Sequence, residues 1–219
     1  MELILGLQTR HSVRGFKPTP VSQETVRNVL QIAGGSPSYT NSQPWEVAVV
    51  MGPKRDALSK ILYDLAAGGT PSRADEPAPK SWPEVIGHRS RQHGARRFEA
   101  LGVGRDDVKR REELRLLNFK FLDAPCALFF FMDASLGPWS TLDMGIFIHG
   151  VTLAAHGLGL GTCLQASLGN YPDAVRGFLD IPADKKLVVG MSLGYPDPEA
   201  LLNTYRSTRA EVDAFTRWY

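Results

Sequence analysis

The sequence predicts a single α+β domain, and three observations carry that prediction. Apolar residues fill 43% of 219 positions, enough to bury one sizeable core. Strand-like runs are few and irregularly spaced, with long helical stretches between them. That arrangement favours α+β over a doubly wound parallel sheet. Neither an internal repeat nor a domain linker is visible, so residues 1–219 read as one unit.

Taken in order, residues 2–9 read as a short helix leading into a basic cluster. Pro18 and Pro20 break the chain, and Ser22 is a good N-cap for the next helix. Val21 and Val26 stand at the positions of a hydrophobic staple, and Gly34-Gly35 ends the helix. Ser36 to Pro44 is a loop by composition. Trp45 to Met51 suits a buried strand, and Pro53 opens a helix to about Ala67. Residues 68–83 form a surface loop. A helical arm, 84–123, follows it: one helix over 84–100, a Gly102-Val103-Gly104 break, and a long helix from Asp106 to Asp123. Leu114, Leu117 and Phe121 mark the buried face of that second helix.

Ala127 to Met132 is a clear strand. Ser140 with Asp143 resembles a capping box that starts an apolar helix ending at Gly157. Leu158–Leu164 and Lys186–Leu193 are two further strands, with a short helix over Pro172–Leu179 between them. The polar tail ends in Phe215 and Trp218-Tyr219, aromatic residues suited to docking on another surface such as a second subunit.

A net charge of +2 is too mild for a phosphate-tracking face, so no nucleic-acid partner is expected. Arg89 to Arg97 is arginine-rich and reads first as a solvated helix face, with a substrate carboxylate as the rival reading. Two cysteines, Cys126 and Cys163, sit in apolar runs and form neither a disulfide framework nor a zinc spacing. The run from Met1 to Leu7 is too short for a signal-peptide core, and no segment approaches the roughly 20 apolar residues that span a bilayer. A reducing, cytoplasmic setting is the expectation, with no membrane partner.

Several motifs fail on inspection. Gly157-Leu158-Gly159-Leu160-Gly161 follows a helix rather than a strand and lacks the third glycine of a dinucleotide loop. His149 and His156 are seven apart, a spacing unsuited to a shared metal, and read as buried, hydrogen-bonded core residues. The acidic pairs Asp106-Asp107 and Glu112-Glu113 are sequence neighbours and do not face each other on a helix. No metal site and no hydrolytic acid–base pair remains.

One constellation survives. In an extended stretch, alternation puts Arg10, Ser12 and Arg14 on one side, with His11 between them. Two guanidinium forks and a hydroxyl suit an anion. A basic surface turn is the equally open reading. The segments Arg10-His11-Ser12-Val13-Arg14-Gly15-Phe16 and Ser36-Pro37-Ser38-Tyr39-Thr40-Asn41-Ser42-Gln43-Pro44-Trp45 together resemble two motifs of the nitroreductase family of FMN enzymes. Those motifs are Arg-x-Ser-x-Arg-x-Phe and Ala-Pro-Ser-x-x-Asn-x-Gln-Pro-Trp. The resemblance continues through Asn118, Ala124-Pro125, Asp143-Met144-Gly145, Gly157 to Cys163, Gly194-Tyr195-Pro196 and Asn203…Arg206…Arg209. The arm looks most like the nitrobenzoate and nitrobenzene reductases within that family.

The resemblance implies a mostly antiparallel sheet flanked by helices in an intertwined homodimer, with FMN at the interface. Arg10, His11, Ser12 and Arg14 would contact FMN from one subunit. Pro37, Ser38, Tyr39, Asn41 and Gln43 would approach from the other. Gln165, Ala166 and Ser167 would offer backbone contacts near flavin N5, and Arg206 and Arg209 would bind phosphate. Tyr39, Thr40, Arg89 and Arg91 are candidate substrate contacts, with Tyr39 standing where the family often has a small residue. The implied reaction is ping-pong, from NADH or NADPH through flavin N5 to a small electron-poor acceptor, a nitroaromatic first among them. Other flavin reactions remain open: quinone, enone or flavin reduction, reductive dehalogenation and flavin fragmentation. So does non-catalytic FMN storage or sensing. The cofactor carries the difficult chemistry in each enzymatic case, so no catalytic side chain is expected.

Overall fold

The computed structural model describes residues 2–219; the initial Met1 of the amino-terminal run lies outside them. Four strands, β1 (Glu46–Met51), β2 (Cys126–Asp133), β3 (Gly161–Gln165) and β4 (Lys185–Gly194), form one sheet in the order β1-β2-β4-β3. Every adjacent pair is antiparallel. Seven α-helices accompany them: α1 (Leu3–Thr9), α2 (Gln23–Ala33), α3 (Gly52–Ala67), α4 (Glu84–Ala100), α5 (Val108–Leu116), α6 (Pro138–Gly157) and α7 (Pro172–Leu179).

The β2 strand explains the layering. Side chains alternate along a strand, and both faces of this one are covered. Leu128, Phe130 and Met132 join α2 and α6 in one core, with Met144, Phe147 and Val151. Ala127, Phe129 and Phe131 join α3 and α7 in the other, with Leu58, Leu62 and Val175. An uninterrupted apolar run is what such a strand requires. A third, smaller cluster of Val13, Phe16, Leu122, Ala124 and Cys163 pins the basic segment to β3 and to the root of the arm.

Several elements form as expected. The Ser22 hydroxyl accepts from the Thr25 amide at 3.0 Å, and Val21 and Val26 are both buried. Residues 68–83 are mostly exposed coil.

Five expectations need correction. Strand β1 is not buried throughout: it lies on the rim of the sheet, and among its residues only Val50 is fully enclosed. A groove of about 1120 Å³ runs along that rim, between residues 48–51 of β1 and helix α2. Helix α6 starts at Pro138, before Ser140, because a proline at the first turn has a preset φ and no amide to satisfy. There is no capping box. The Ser140 amide donates to the Gly137 carbonyl at 3.1 Å, and Asp143 turns inward to another partner.

His149 is exposed and His156 only half-buried, because Phe147, Ile148 and Val151 take the sheet-facing side of α6. The long arm helix stops at Leu116. A tight turn over Leu117–Asp123 follows, with Phe121, Leu122 and Asp123 at φ 56°, 54° and 61°. This left-handed turn buries Phe119, Phe121 and Leu122 together, which one face of an α-helix does not do. Strand β3 likewise begins at Gly161, after a turn at Gly159 with φ 78°.

Candidate functional site

Residues 10–16 run extended beside β3. The Val13 amide donates to the Thr162 carbonyl at 2.9 Å, and Ser12 bridges Thr162 in parallel. Val13 is 3% exposed, while Arg10, His11, Ser12 and Arg14 remain half-buried. Gly161 permits the approach: a Cβ there would lie 2.8 Å from Val13 Cβ and 2.6 Å from its Cγ2.

Asn203 closes the arrangement from the other end of the chain. Its Oδ1 accepts from the amides of Arg14 at 2.7 Å and Gly15 at 3.1 Å. Its Nδ2 donates to the carbonyls of Gly15 at 2.7 Å and Asp197 at 2.8 Å. This buried amide has all its donors and both acceptor directions engaged. It thereby delivers Arg206 and Arg209 to the Arg10–Arg14 segment. The arm is held to the same tail, where His93 Nδ1 meets the Tyr205 hydroxyl at 3.1 Å and Arg96 donates to Thr208 at 3.1 Å.

The result is a concentration of positive charge without a counter-charge. Among the described residues, no carboxylate pairs with Arg10, Arg14, Arg97, Arg206 or Arg209; the ion pairs all lie elsewhere. Burial, and then the nearby Arg209, holds the Arg10 pKa below its ordinary value. Burial and Arg14 do the same to Arg97, partly opposed by Cys163 and Tyr205.

Three histidines at this site also titrate below their usual range. For His11 the causes are burial first, against the Thr9 carbonyl bond that raises it, then Arg206, His156 and Arg10. For His93 they are burial, Arg14, Arg97 and Arg209; for His156, burial and Arg10. The native state therefore binds fewer protons than the unfolded chain near pH 6. Stability from these groups is present above the ordinary histidine value of 6.5 and is lost as pH falls through the lowered folded values. The ligand-free protein is expected to melt at lower temperature as pH drops from 7 to 5, and His11→Asn to flatten that slope. A melting temperature independent of pH over this range would contradict the electrostatic picture.

Both thiols are inert by environment. Burial pushes Cys126 up to about 12 and raises Cys163 as well, there partly opposed by Arg14 and Arg97.

The Pro37–Gln43 loop lies elsewhere. The Tyr39 amide donates to both Asp143 oxygens at 3.1 Å, and its ring stacks on Trp139 with centroids 5.6 Å apart. Thr40, Asn41 and Gln43 adopt φ of 50°, 59° and 47°. Three non-glycine residues in that region are costly and mark a loop held for a purpose. Pro37, Tyr39, Thr40, Asn41 and Gln43 are exposed, with Tyr39 61% accessible, and Ser38 is half-buried with its hydroxyl accepting from the Gln43 amide at 3.0 Å.

Helix α6 separates the two halves. Asp143 anchors the loop near its start, while His156 near its end contacts the Thr9 hydroxyl at 2.8 Å, next to Arg10. Those two residues are about 20 Å apart along the helix axis. One chain does not bring the loop to the arginines.

Gln165 is 3% exposed, and its side chain is committed inward. It donates to the Asn118 carbonyl at 3.2 Å and Oδ1 at 3.1 Å, and accepts from the Ser192 hydroxyl. Only its backbone is left for a ligand; Ala166 is exposed and Ser167 half-buried at the open end of β3. Arg89 and Arg91 are exposed on the arm, whereas Arg97 is the arm arginine turned toward Arg14. Asp143 and Asn203, both in segments of the family resemblance, thus anchor the loop and the basic segment, roles their partners far along the chain decide, and Arg97 faces Arg14.

The sequence profile of the nitroreductase family matches residues 7–195. The chain belongs to the nitroreductase family. It is 34% identical over 212 residues to a 4-nitrobenzoate reductase of Pseudomonas putida, covering 96% of this chain and 92% of that protein. A nitrobenzene nitroreductase of Ectopseudomonas oleovorans is 33% identical over 213 residues, covering 96% and 93%. The crystal structure of the FMN-dependent nitroreductase NfnB from Mycobacterium smegmatis in complex with NADPH superposes with a TM-score of 0.94 at 33% identity, over 100% of both chains. The fold is accordingly the nitroreductase α+β fold.

Proposed function

We propose that this chain binds FMN and uses NADH or NADPH to reduce a small electron-poor acceptor, a nitroaromatic first among candidates. The observation that carries the reading is the group of half-buried Arg10, Arg14 and Arg97 with exposed Arg206 and Arg209 beside them, none of which has a carboxylate partner among the described residues. Like charges held together in partly desolvated surroundings call for an anion. A phosphate-bearing cofactor supplies one, so the residues fit the group. Arg10, Ser12, Arg206 and Arg209 would hold the phosphate end, with His11 beside them. Arg14 would supply positive charge toward the ring edge, where negative charge gathers on reduction. The backbone of Gln165, Ala166 and Ser167 would offer donors and acceptors to its ring. When bound, FMN supplies two-electron chemistry at N5, accepting a hydride from the nicotinamide and giving it to the acceptor.

The protein's own part is to orient, to exclude water and to supply fixed charge. Two chains complete each site in this reading. The span of α6 supports that, because it holds the loop of Pro37, Ser38, Tyr39, Asn41 and Gln43 about 20 Å from the arginines of its own chain. Exposed Leu3, Ile4, Leu5 and Leu7 on α1, and Phe215, Trp218 and Tyr219 in the tail, give such a dimer its apolar surface. Residues 84–123 act as a lid on the single domain, with Tyr39, Thr40, Arg89 and Arg91 at its mouth. Among the described residues no helix is long and apolar enough to cross a membrane. A cytoplasmic setting accords with two free, buried thiols.

Anaerobic titration tests the function. NADH or NADPH is expected to bleach the flavin absorbance of the purified protein, and a nitroarene to restore it. If neither nucleotide bleaches it, the reductase reading is wrong.

A further inference from the structure

A second basic cavity, of about 530 Å³, opens between α4 and α5 and shares Arg97 with the arginine group. Arg105, Arg111 and Arg115 also line it, with Phe98 and Val108 as its apolar wall. Its one carboxylate is already used: Glu112 takes Arg115 in a two-pronged pair, with both contacts at 2.7 Å. Arg97, Arg105 and Arg111 remain without a counter-charge among the described residues.

Two of these guanidiniums rest on one aromatic ring instead of on carboxylates. Arg111 Cζ lies 4.0 Å and Arg97 Cζ 5.2 Å from the Phe98 centroid. Aromatic faces hold guanidinium groups while leaving their in-plane donors unused. The Arg97 Nε is buried and has no acceptor at all. A donor that has lost water without gaining a partner is a standing cost that one oxyanion removes. The cavity adjoins the proposed reaction zone, since Asn118 in its wall is the residue that Gln165 grips. Its volume is that of a small-molecule site, and its mixture of aromatic wall and cationic donors suits a planar organic anion.

We propose that this arm cavity binds the oxyanion of a redox partner, with Arg97 and Arg111 as its ligands. The partner is either the acceptor, through a carboxylate, or the reductant, through the 2′-phosphate that distinguishes NADPH from NADH. The inference rests on the flavin-reductase reading above and assigns that reaction a class of substrate. It also selects among the arm arginines, since those facing the cavity are not Arg89 and Arg91.

The test compares the holoprotein with Arg97→Gln, Arg111→Gln and Arg105→Gln, the last an exposed position in the cavity wall. Steady-state kinetics are run with 4-nitrobenzoate against nitrobenzene, and with NADPH against NADH. A fall of about tenfold in the kcat/KM ratio of 4-nitrobenzoate to nitrobenzene identifies the acceptor carboxylate. The same fall in the ratio of NADPH to NADH identifies the phosphate. Calorimetric titration with 4-nitrobenzoate and with adenosine 2′-monophosphate reads the same loss without turnover. Both ratios and both affinities unchanged within twofold in all three variants would overturn the proposal. If the purified protein carries no flavin, the function above fails separately. Calorimetry on that flavin-free protein still decides the cavity by the same criterion.

Discussion

Arg10→Ala and Arg209→Ala are each expected to weaken FMN binding by about ten- to a hundredfold, the loss of about 1.5–3 kcal/mol that accompanies removal of one charged hydrogen-bond partner. The direction of a second effect makes the experiment specific. Burial lowers the Arg10 pKa first and Arg209 lowers it further, so the two guanidiniums repel in the ligand-free protein. Removing either one relieves that repulsion, so the ligand-free variant should melt at or above the temperature of the parent while binding FMN worse. A residue that merely supported the fold would lower both. Fluorescence titration of FMN and thermal melts of the flavin-free protein read the two quantities. An FMN affinity unchanged in both variants would remove the phosphate role from this group. Ser12→Ala, which deletes a neutral donor, should cost less than either arginine.

The same residues show what was readable from the chain alone. Strand β2, strand β4 and helices α1 to α4 and α7 carry local signals: the Ser22 cap, Pro53, Gly34-Gly35, and an apolar run that two covering layers require. Local signals fail where distant partners decide. Ser140 and Asp143 have capping-box spacing, yet Asp143 spends both oxygens on Tyr39, 104 positions away. Nothing near residue 143 announces that choice.

The site divides in the same way. Arg10 to Arg14 and Pro37 to Gln43 are contiguous segments, so each is legible as a motif. Their separation by the length of α6 is a fact of folding, and it turns two motifs into halves that different subunits join in the proposed dimer. Arg97 is harder still. It sits among Arg89, Arg91 and Arg96 on a polar helix, and only the packing of α4 against the tail at Tyr205 and Thr208 singles it out. A charge run read as a solvated face is right for three of those four arginines.

The root of the arm carries the largest expected stability effect. Phe121 is fully buried, meets Phe129 edge-on at 5.9 Å, and lies under the Arg55 guanidinium at 5.4 Å. Its carbonyl lies 2.7 Å from the buried Ser192 hydroxyl, whose single proton it shares with Gln165 Oε1. Phe121→Ala is expected to cost about 3–5 kcal/mol, as large-to-small changes in closed cores do. Chemical denaturation should show this as a lower midpoint with little change in slope.

Backbone conformation supplies the control. Phe121, Leu122 and Asp123 all occupy the left-handed region, where L-residues pay about 1–2 kcal/mol relative to glycine. Only Asp123 is exposed, so Asp123→Gly removes strain without opening a cavity. It should leave stability unchanged or raise it, by up to about 1 kcal/mol. A loss of more than 1 kcal/mol at Asp123, or of less than 1 kcal/mol at Phe121, would mean that the turn is not held as described. Because this turn fixes Asn118 against Gln165, Phe121→Ala should also loosen the arm, and amide exchange across residues 108–123 should quicken beyond the change in global stability. No segment-length rule predicts that coupling. It follows from burying Phe119, Phe121 and Leu122 in a turn that only a folded core sustains.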